Sequence, residues 1–511
     1  MSPGAEGGLG RRIVRDTLLV GGGRGVSLIV WLVVTPAILR GLGADGFGVW
    51  SLYFGLTSWI GALDLGFSQL ALRQVAAARA KADHAEAGEF ATLAAVGYFL
   101  LGAGWLVLAP ALCGPMLDLL RVHGALRPAA EFAFYAAPVS FALGGSSLTA
   151  VMVLQAYARF DLAALATLSI TLTQAAGILW ALSHGGGLQG TVSAVVIAYA
   201  VGGLLTLVLI GFGASGFAWA SLPRALRRWR AAVAFGGPLQ LANVLAVTHQ
   251  QIDKLLLTRF ASLGLVAPYE LGLRLATTMS SIPQLALSAV APVASAMHAR
   301  EEHARSEALF HRADRYVMAL TALVAAMLLG AGTRLLEAWL GHHDPQADLA
   351  LVGLVFAAIF ALATSTAAVM VRSAGRTDLE ASLSAVALAT HLGAAAVLIP
   401  RYQLLGAVAA TLLGNIVACL FFLIRVSRAM DWDFARTVFG GWGLPLLASI
   451  SGMAVGRVLS PLLPLASGNT GWALAAVVAV VAGSACAVVL LLSGSVSVRE
   501  LRELVKTRSA T

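Results

Sequence analysis

The sequence predicts an all-α integral membrane protein of about 14 transmembrane helices, and three observations carry that prediction. Only 12% of the residues are charged and 59% are hydrophobic, where an ordinary soluble domain is roughly 25% charged. The mean hydropathy of +0.84 means more apolar surface than a soluble fold can cover. The apolar residues also fall in runs of about 20, enough to cross ~30 Å of hydrocarbon at ~1.5 Å per residue. No polar, Pro-rich or Ser-rich linker interrupts them, so the chain reads as one membrane body.

Taken in order, the runs occupy 17–39, 46–71, 88–110, 130–153, 162–183, 191–213, 233–258, 265–292, 315–333, 347–371, 379–399, 403–425, 439–459 and 471–493. Arg11, Arg12 and Arg15 precede the first run, which is too long for a signal-peptide core and is read as an uncleaved span. The basic residues test this layout independently. With both termini in the cytoplasm, 24 Lys and Arg residues fall on cytoplasmic segments and 7 on outer ones. That bias supports an even number of spans with both ends inside. The net charge of +9 therefore belongs mostly to the inner membrane surface, and nucleic acid is not an expected partner.

A weak internal repeat divides the chain. Arg11, Arg12 and Arg15 lead to Gly21-Gly22-Gly23, as Arg227, Arg228 and Arg230 lead to Gly236-Gly237-Pro238. The expected organisation is an N-terminal lobe over 1–222, a C-terminal lobe over 223–427, and two further helices with a basic tail over 428–511.

Polar residues inside the spans are the candidate site, because lipid does not tolerate them. In the seventh run Gln240, Asn243, Gln250 and Lys254 share one helical face, and His249 and Asp253 form a ridge beside it. The eighth run repeats the pattern with Glu270, Arg274, Thr277, Thr278 and Ser281. Arg24, Lys254 and Arg274 are the three basic residues that fall within spans. Each has a structural alternative: Lys254 can pair with Asp253 or another helix, and Arg274 with Glu270 one turn away. Asp253 and Glu270 are candidates for binding a coupling ion, or else neutralise those bases.

Other apparent motifs are set aside. Gly41 to Gly46 matches a dinucleotide fingerprint letter by letter but joins two spans with no preceding strand, so no cofactor is expected. His342, His343 and Asp344 read as a turn before Pro345 and not as a metal site. Cys113, Cys419 and Cys486 lie inside apolar runs without metal or disulfide spacing. Trp50, Trp59, Trp180, Trp339 and Trp442 fall mostly near span ends, as an interfacial belt requires.

Three segments carry a family resemblance. They are T-P-A-I-L-R-G-L-G-A-D-G-F-G-V-W-S-L from Thr35, running on to A-L-D-L-G-F-S-Q-L-A-L-R-Q from Ala62; Q-Q-I-D-K-L-L-L-T-R-F from Gln250 with A-P-Y-E-L-G-L-R-L from Ala267; and L-L-G-A-V-A-A-T-L-L-G-N from Leu404. With the span count and spacing, the chain resembles the polysaccharide-repeat flippases of the multidrug/oligosaccharidyl-lipid/polysaccharide exporter superfamily. The resemblance implies two pseudo-symmetric six-helix lobes around a central cavity plus two C-terminal helices, and a multi-pass protein of the bacterial cytoplasmic membrane. It implies a polyprenyl-diphosphate-linked glycan as cargo, membrane lipids as surroundings, a proton or sodium ion as coupling partner, and polysaccharide polymerase machinery nearby. Asp64, in the L-D-L-G step, is read as a structural feature that caps its loop or pins it to Arg73.

A lipid diphosphate brings about two negative charges into low dielectric, so its carrier needs cations in a hydrated groove. Arg24, Lys254, Arg274, Gln240, Asn243 and Gln250 are the expected cargo contacts. Arg24 and Arg274 lie on the spans where related flippases place cavity arginines. A drug or organic-cation antiporter of the same superfamily is the alternative, though twelve spans and an acidic cavity would be expected of it. An enzyme is not expected: the longest outer segment, of about 20 residues, is too short to build a site such as a glycan polymerase or ligase needs.

Overall fold

The computed structural model describes residues 3–64, 66–288, 290–299, 303–432, 442–463 and 468–494. Every regular element among them is helical. Two compact units divide the chain, Met1–Arg259 and Phe260–Thr511.

The first unit contains α1 (Pro3–Gly61), α2 (Phe67–Ala80), α3 (His84–Leu119), α4 (Arg127–Ala156), α5 (Phe160–Ser183), α6 (Gly187–Gly213), the short α7 (Leu222–Leu226) and α8 (Trp229–Phe260). The second contains α9 (Val266–Ser288), α10 (Val290–Ala299), α11 (His303–Leu340), α12 (Pro345–Ala363), α13 (Ser365–Ser373), α14 (Thr377–Met430), α15 (Leu444–Leu459) and α16 (Gly468–Leu492). α8 thus groups with the first unit, where the sequence repeat placed it at the start of the second half. α15 and α16 pack on α11 inside the second unit.

Among the described residues ten helices are long and apolar enough to cross a membrane. Two of them are too long for one crossing and are broken in the middle. α1 breaks at Gly43, whose φ of 71° and ψ of 174° suit a residue without Cβ. α14 breaks at Gln403, with φ 50° and ψ −120°, just after Pro400, which removes a backbone donor and crowds the preceding turn. Gly406 then lies so close to the chain that a Cβ there would sit 2.2 Å from the Leu398 carbonyl oxygen. Counting both halves of α1 and α14, and adding the charge-bearing α8 and α9, each of the fourteen expected spans lies mainly on a helix, though the second runs through the loop after α1 into α2, and 65, 289 and 439–441 lie outside the described residues. The dinucleotide-like Gly41 to Gly46 stretch is the α1 break.

Outward faces are those of a protein in lipid: Phe212 is 80% exposed and Leu492 84%. Trp180 is exposed as well and stacks on His184. Trp50, Trp339 and Trp442, expected in the interfacial belt, are instead buried. Trp50 packs edge-on against Phe54, ring centroids 4.9 Å apart, because a large ring on a tightly packed helix hairpin gains more from van der Waals contact than from the interface.

Charged side chains fasten the helix ends. In the first unit Arg79 donates to the Ala156 carbonyl at 3.0 Å and lies over the Tyr157 ring, and Arg228 reaches Glu89 at 2.7 Å and Glu86 at 3.3 Å. Asp64 accepts from the Gly66 N–H and the Tyr98 hydroxyl, both at 2.8 Å, which closes the loop after α1 as expected of a capping residue. In the second unit Arg457 of α15 spans to Asp348 of α12 at 2.7 and 2.9 Å and to the Leu329 carbonyl of α11 at 3.0 Å. Buried Arg334 donates to the Ser460 and Leu463 carbonyls at 2.6 and 2.7 Å. Asp344 caps α12 through the N–H groups of Gln346 and Ala347, and His343 meets Glu337 at 3.2 Å. That cluster is a turn, as read. The basic residues Arg300, Arg436, Arg499, Arg502, Lys506 and Arg508 lie outside the described residues.

Replacing Arg457 by Ala strands Asp348 and removes the tie between α11, α12 and α15. The expected loss is about 3 kcal/mol, read as a lower midpoint in thermal unfolding of the detergent-solubilised protein.

Candidate functional site: polar groups inside the first unit

The polar stripe of α8 divides into three environments. Gln240, near one end, donates from Nε2 to the Ala62 carbonyl in the loop that follows α1. Asn243 and Gln250 are exposed. Asp253 and Lys254 are buried, 1% and 5% exposed, and the Lys254 carbonyl accepts from Thr258 at 2.8 Å.

Lys254 lines a cavity of about 470 Å³ built from the second half of α1, the far end of α3, the start of α4, and α8. Its walls are almost wholly apolar, with Leu52, Leu56, Leu112, Leu117 and Phe134 among them. The polar exceptions are Tyr53, Trp59, Trp105, Gln251 and Lys254. Tyr53 is satisfied by Ser140 at 2.5 Å. Trp59 Nε1 and Gln251 Oε1 are buried with no hydrogen-bond partner among the described residues. An uncommitted donor, an uncommitted acceptor and a cation thus share an otherwise greasy chamber. That combination suits an amphiphile with an anionic head: the apolar wall takes a chain, and the polar groups fix the head.

Sequence reading found Lys254 and missed its companions. Trp59 was assigned to the interface, and Gln251 was passed over for its neighbour Gln250, although 251, 254 and 255 lie on one helical face.

A second cavity of about 480 Å³ lies among α1, α3, α4, α5 and α6. It carries more polar side chains than the first, with Thr57, Asp64, Tyr98, Ser140, Gln174 and Tyr199 on its wall beside Phe141, Leu148 and Ile170. Buried Gln174 directs an unpartnered Nε2 into this space. The donors and acceptors here can hold a small hydroxylated or cationic group. No single residue of this set stands out in the sequence, because isolated Ser, Thr and Tyr in spans normally bond their own helix.

The other expected contacts lie elsewhere. Arg274 and Glu270, on α9 in the second unit, form an ion pair at 3.7 Å, one quarter and one seventh exposed. This is the pairing alternative foreseen for Arg274. Its carbonyl accepts from Thr277 at 3.0 Å and Thr278 at 2.8 Å. The backbone of Arg24 belongs to α1, but its side chain lies outside the described residues. All three cysteines are buried and free. Among the described residues no group of three His, Cys, Asp or Glu side chains is arranged to hold a metal ion.

The profile of the polysaccharide biosynthesis protein family matches residues 13–298, more than half of the chain. The protein belongs to that family. No curated protein sequence matches it, so relatives of known fold come from structure. The lipid II flippase MurJ in an inward closed conformation superposes with a TM-score of 0.69 at 12% identity, covering 92% of this chain and 98% of that one. A multidrug resistance MATE family transporter of the MOP superfamily, inward-facing, gives a TM-score of 0.66 at 14% identity, over 79% and 95% of the two chains. A Vibrio cholerae MATE transporter gives 0.59 at 17% identity, over 83% and 98%. At such identities the likeness establishes the fold alone, which this chain shares with those proteins.

Gln240→Leu removes the bond to the Ala62 carbonyl, which is left buried without that donor. The expected cost is about 1–3 kcal/mol of stability, seen as a lower unfolding midpoint.

Proposed function

We propose that the protein is a flippase that moves an undecaprenyl-diphosphate-linked oligosaccharide repeat from the cytoplasmic to the periplasmic leaflet of the bacterial inner membrane, for cell-surface polysaccharide synthesis. O-antigen and exopolysaccharide repeats are the cargo classes this covers. Family membership supports a role in polysaccharide synthesis, and the fold supports movement of a membrane-borne cargo. The observation that carries the reading is Lys254: a buried cation on the wall of a large apolar cavity offers a lipid diphosphate both things it requires, a counter-charge and a place for hydrocarbon. A cavity for organic cations would hold a carboxylate in that position.

In this reading the protein works by alternating access, and the head group is exposed first to one side and then to the other. Lys254 meets the diphosphate, and Asn243 and Gln250 the sugars; Arg24 and Arg274 are further cations proposed to act on the cargo. Asp253 and Glu270 serve coupling by a proton or sodium ion. Polysaccharide polymerase machinery receives the product. The chain performs no covalent chemistry.

Leaflet-resolved analysis of lipid-linked sugars in cells lacking the protein tests this directly. Accumulation of an undecaprenyl-diphosphate oligosaccharide on the cytoplasmic side, with loss of surface polysaccharide, is the expected result. An unchanged pool with new sensitivity to cationic drugs identifies an antiporter instead. Arg274→Ala is expected to abolish export while the protein still inserts. Lys254→Met keeps the length of the side chain and removes its charge. It is expected to weaken binding of a polyprenyl diphosphate by about 1.5–3 kcal/mol, a loss of roughly tenfold or more, measured by titrating the lipid into the purified protein.

A further inference from the structure

A buried polar cluster in the second unit has no part in the cargo reading. Asp314 of α11 is 2% exposed, and Thr366 of α13 is fully enclosed. Trp442, two residues before α15, and Cys419 of α14 are also buried. Thr366 and Trp442 are the side chains placed to act on the Asp314 carboxyl as donors, and the Cys419 thiol lies within its field. Yet Asp314 Oδ1, Thr366 Oγ1 and Trp442 Nε1 are each buried without a formed hydrogen bond. Three helices and the residue ahead of a fourth thus converge on a carboxylic acid and leave its surroundings uncommitted. Such an arrangement is costly in a membrane protein, and ionisable groups kept inside a span are functional by default.

Among the described residues no cation is paired with the carboxylate. On its own helix His311 faces Glu307 at 3.5 Å and the Arg315 guanidinium lies over the Tyr316 ring at 5.3 Å. On the helices packed against α11, Glu270 pairs with Arg274, Asp348 with Arg457, and Arg372 of α13 with Glu380 of α14. His298 of α10 is exposed and Cys486 of α16 is buried. None of these is among the groups that act on Asp314.

We propose that Asp314 is a proton-binding site, taking up and releasing one proton between Thr366 and Trp442. The donor inventory decides the occupant. A hard metal cation needs oxygen ligands around it, but the Trp442 indole can only donate. A proton fits both states of the site. With the carboxyl ionised, the Thr366 hydroxyl and Trp442 N–H both donate to it. With the carboxyl protonated, Oδ1–H donates to Thr366 Oγ1, and Trp442 N–H stays on the other oxygen. Each polar atom keeps a partner through the exchange, and only a proton from water is gained or lost. The site is separate from Asp253 and Glu270, and it gives a transporter of this fold a protonation step in its second unit.

Infrared difference spectra of the purified full-length protein in lipid, recorded between acid and alkaline buffers, test the proposal without any cargo. The expected result is a protonated-carboxyl C=O band that is absent in Asp314→Asn, shifted in Trp442→Phe through loss of the N–H donor, and unaffected by added Na⁺ at fixed pH. Spectra of wild type and Asp314→Asn that coincide overturn it. Removal of the band by Na⁺ overturns it in favour of a cation site. If Asp314→Asn does not fold, the Trp442→Phe protein decides: a shifted band supports the site, and an unmoved one overturns it. A protein that shows the band but moves no lipid-linked glycan retains the proton site and loses only the proposed cargo.

Discussion

Hydrocarbon cannot hydrogen-bond, and that constraint orders everything else in this protein. Backbone groups are satisfied within helices, and most hydroxyls in the spans turn back on their own helix, as Thr57 does to Tyr53, Thr149 to Gly145 and Thr206 to Gly202. Charges that must be enclosed are tied off completely: Arg334 binds two carbonyls and a hydroxyl, and Arg457 binds Asp348, Thr333 and a carbonyl. Against that rule, the uncommitted polar atoms are informative because they are few and grouped. Trp59 and Gln251 share one cavity, Gln174 faces another, and Asp314, Thr366 and Trp442 face one another.

Those three places differ in the chemistry they can accept. The chamber beside Lys254 is apolar with a cation, suited to a lipid carrying negative charge. The cavity among α1, α3, α4, α5 and α6 is lined by hydroxyls, an amide and a carboxylate. The Asp314 cluster is a buried carboxyl beside a hydroxyl and an indole N–H. The fold keeps these three kinds of group in separate places.

Membership of the polysaccharide biosynthesis family and the MOP-type fold fix the protein's class. The fold is shared by transporters whose identity with this chain is 17% or less, and such distant scaffolds host different cargoes. In the proposed reading cargo choice rests on particular side chains, Lys254 the most direct of them.

The sequence by itself determined that the protein is helical and membrane-embedded, because apolar length and the energetic cost of charge in lipid are local properties. It also marked Lys254 and the Glu270–Arg274 pair, since a charge within an apolar run is visible without coordinates. Only the tertiary structure decided that Trp50 belongs to the interior, that Gln240 fastens a loop, and that Gln251 and Trp59 accompany Lys254. Asp314 shows the limit most clearly. It stands among charged residues at the start of α11, where a one-dimensional reading sees an ordinary polar flank. Thr366, Cys419 and Trp442, dozens of residues away, enclose it only once the helices pack, because burial is a property of neighbours in space and not of position in the chain.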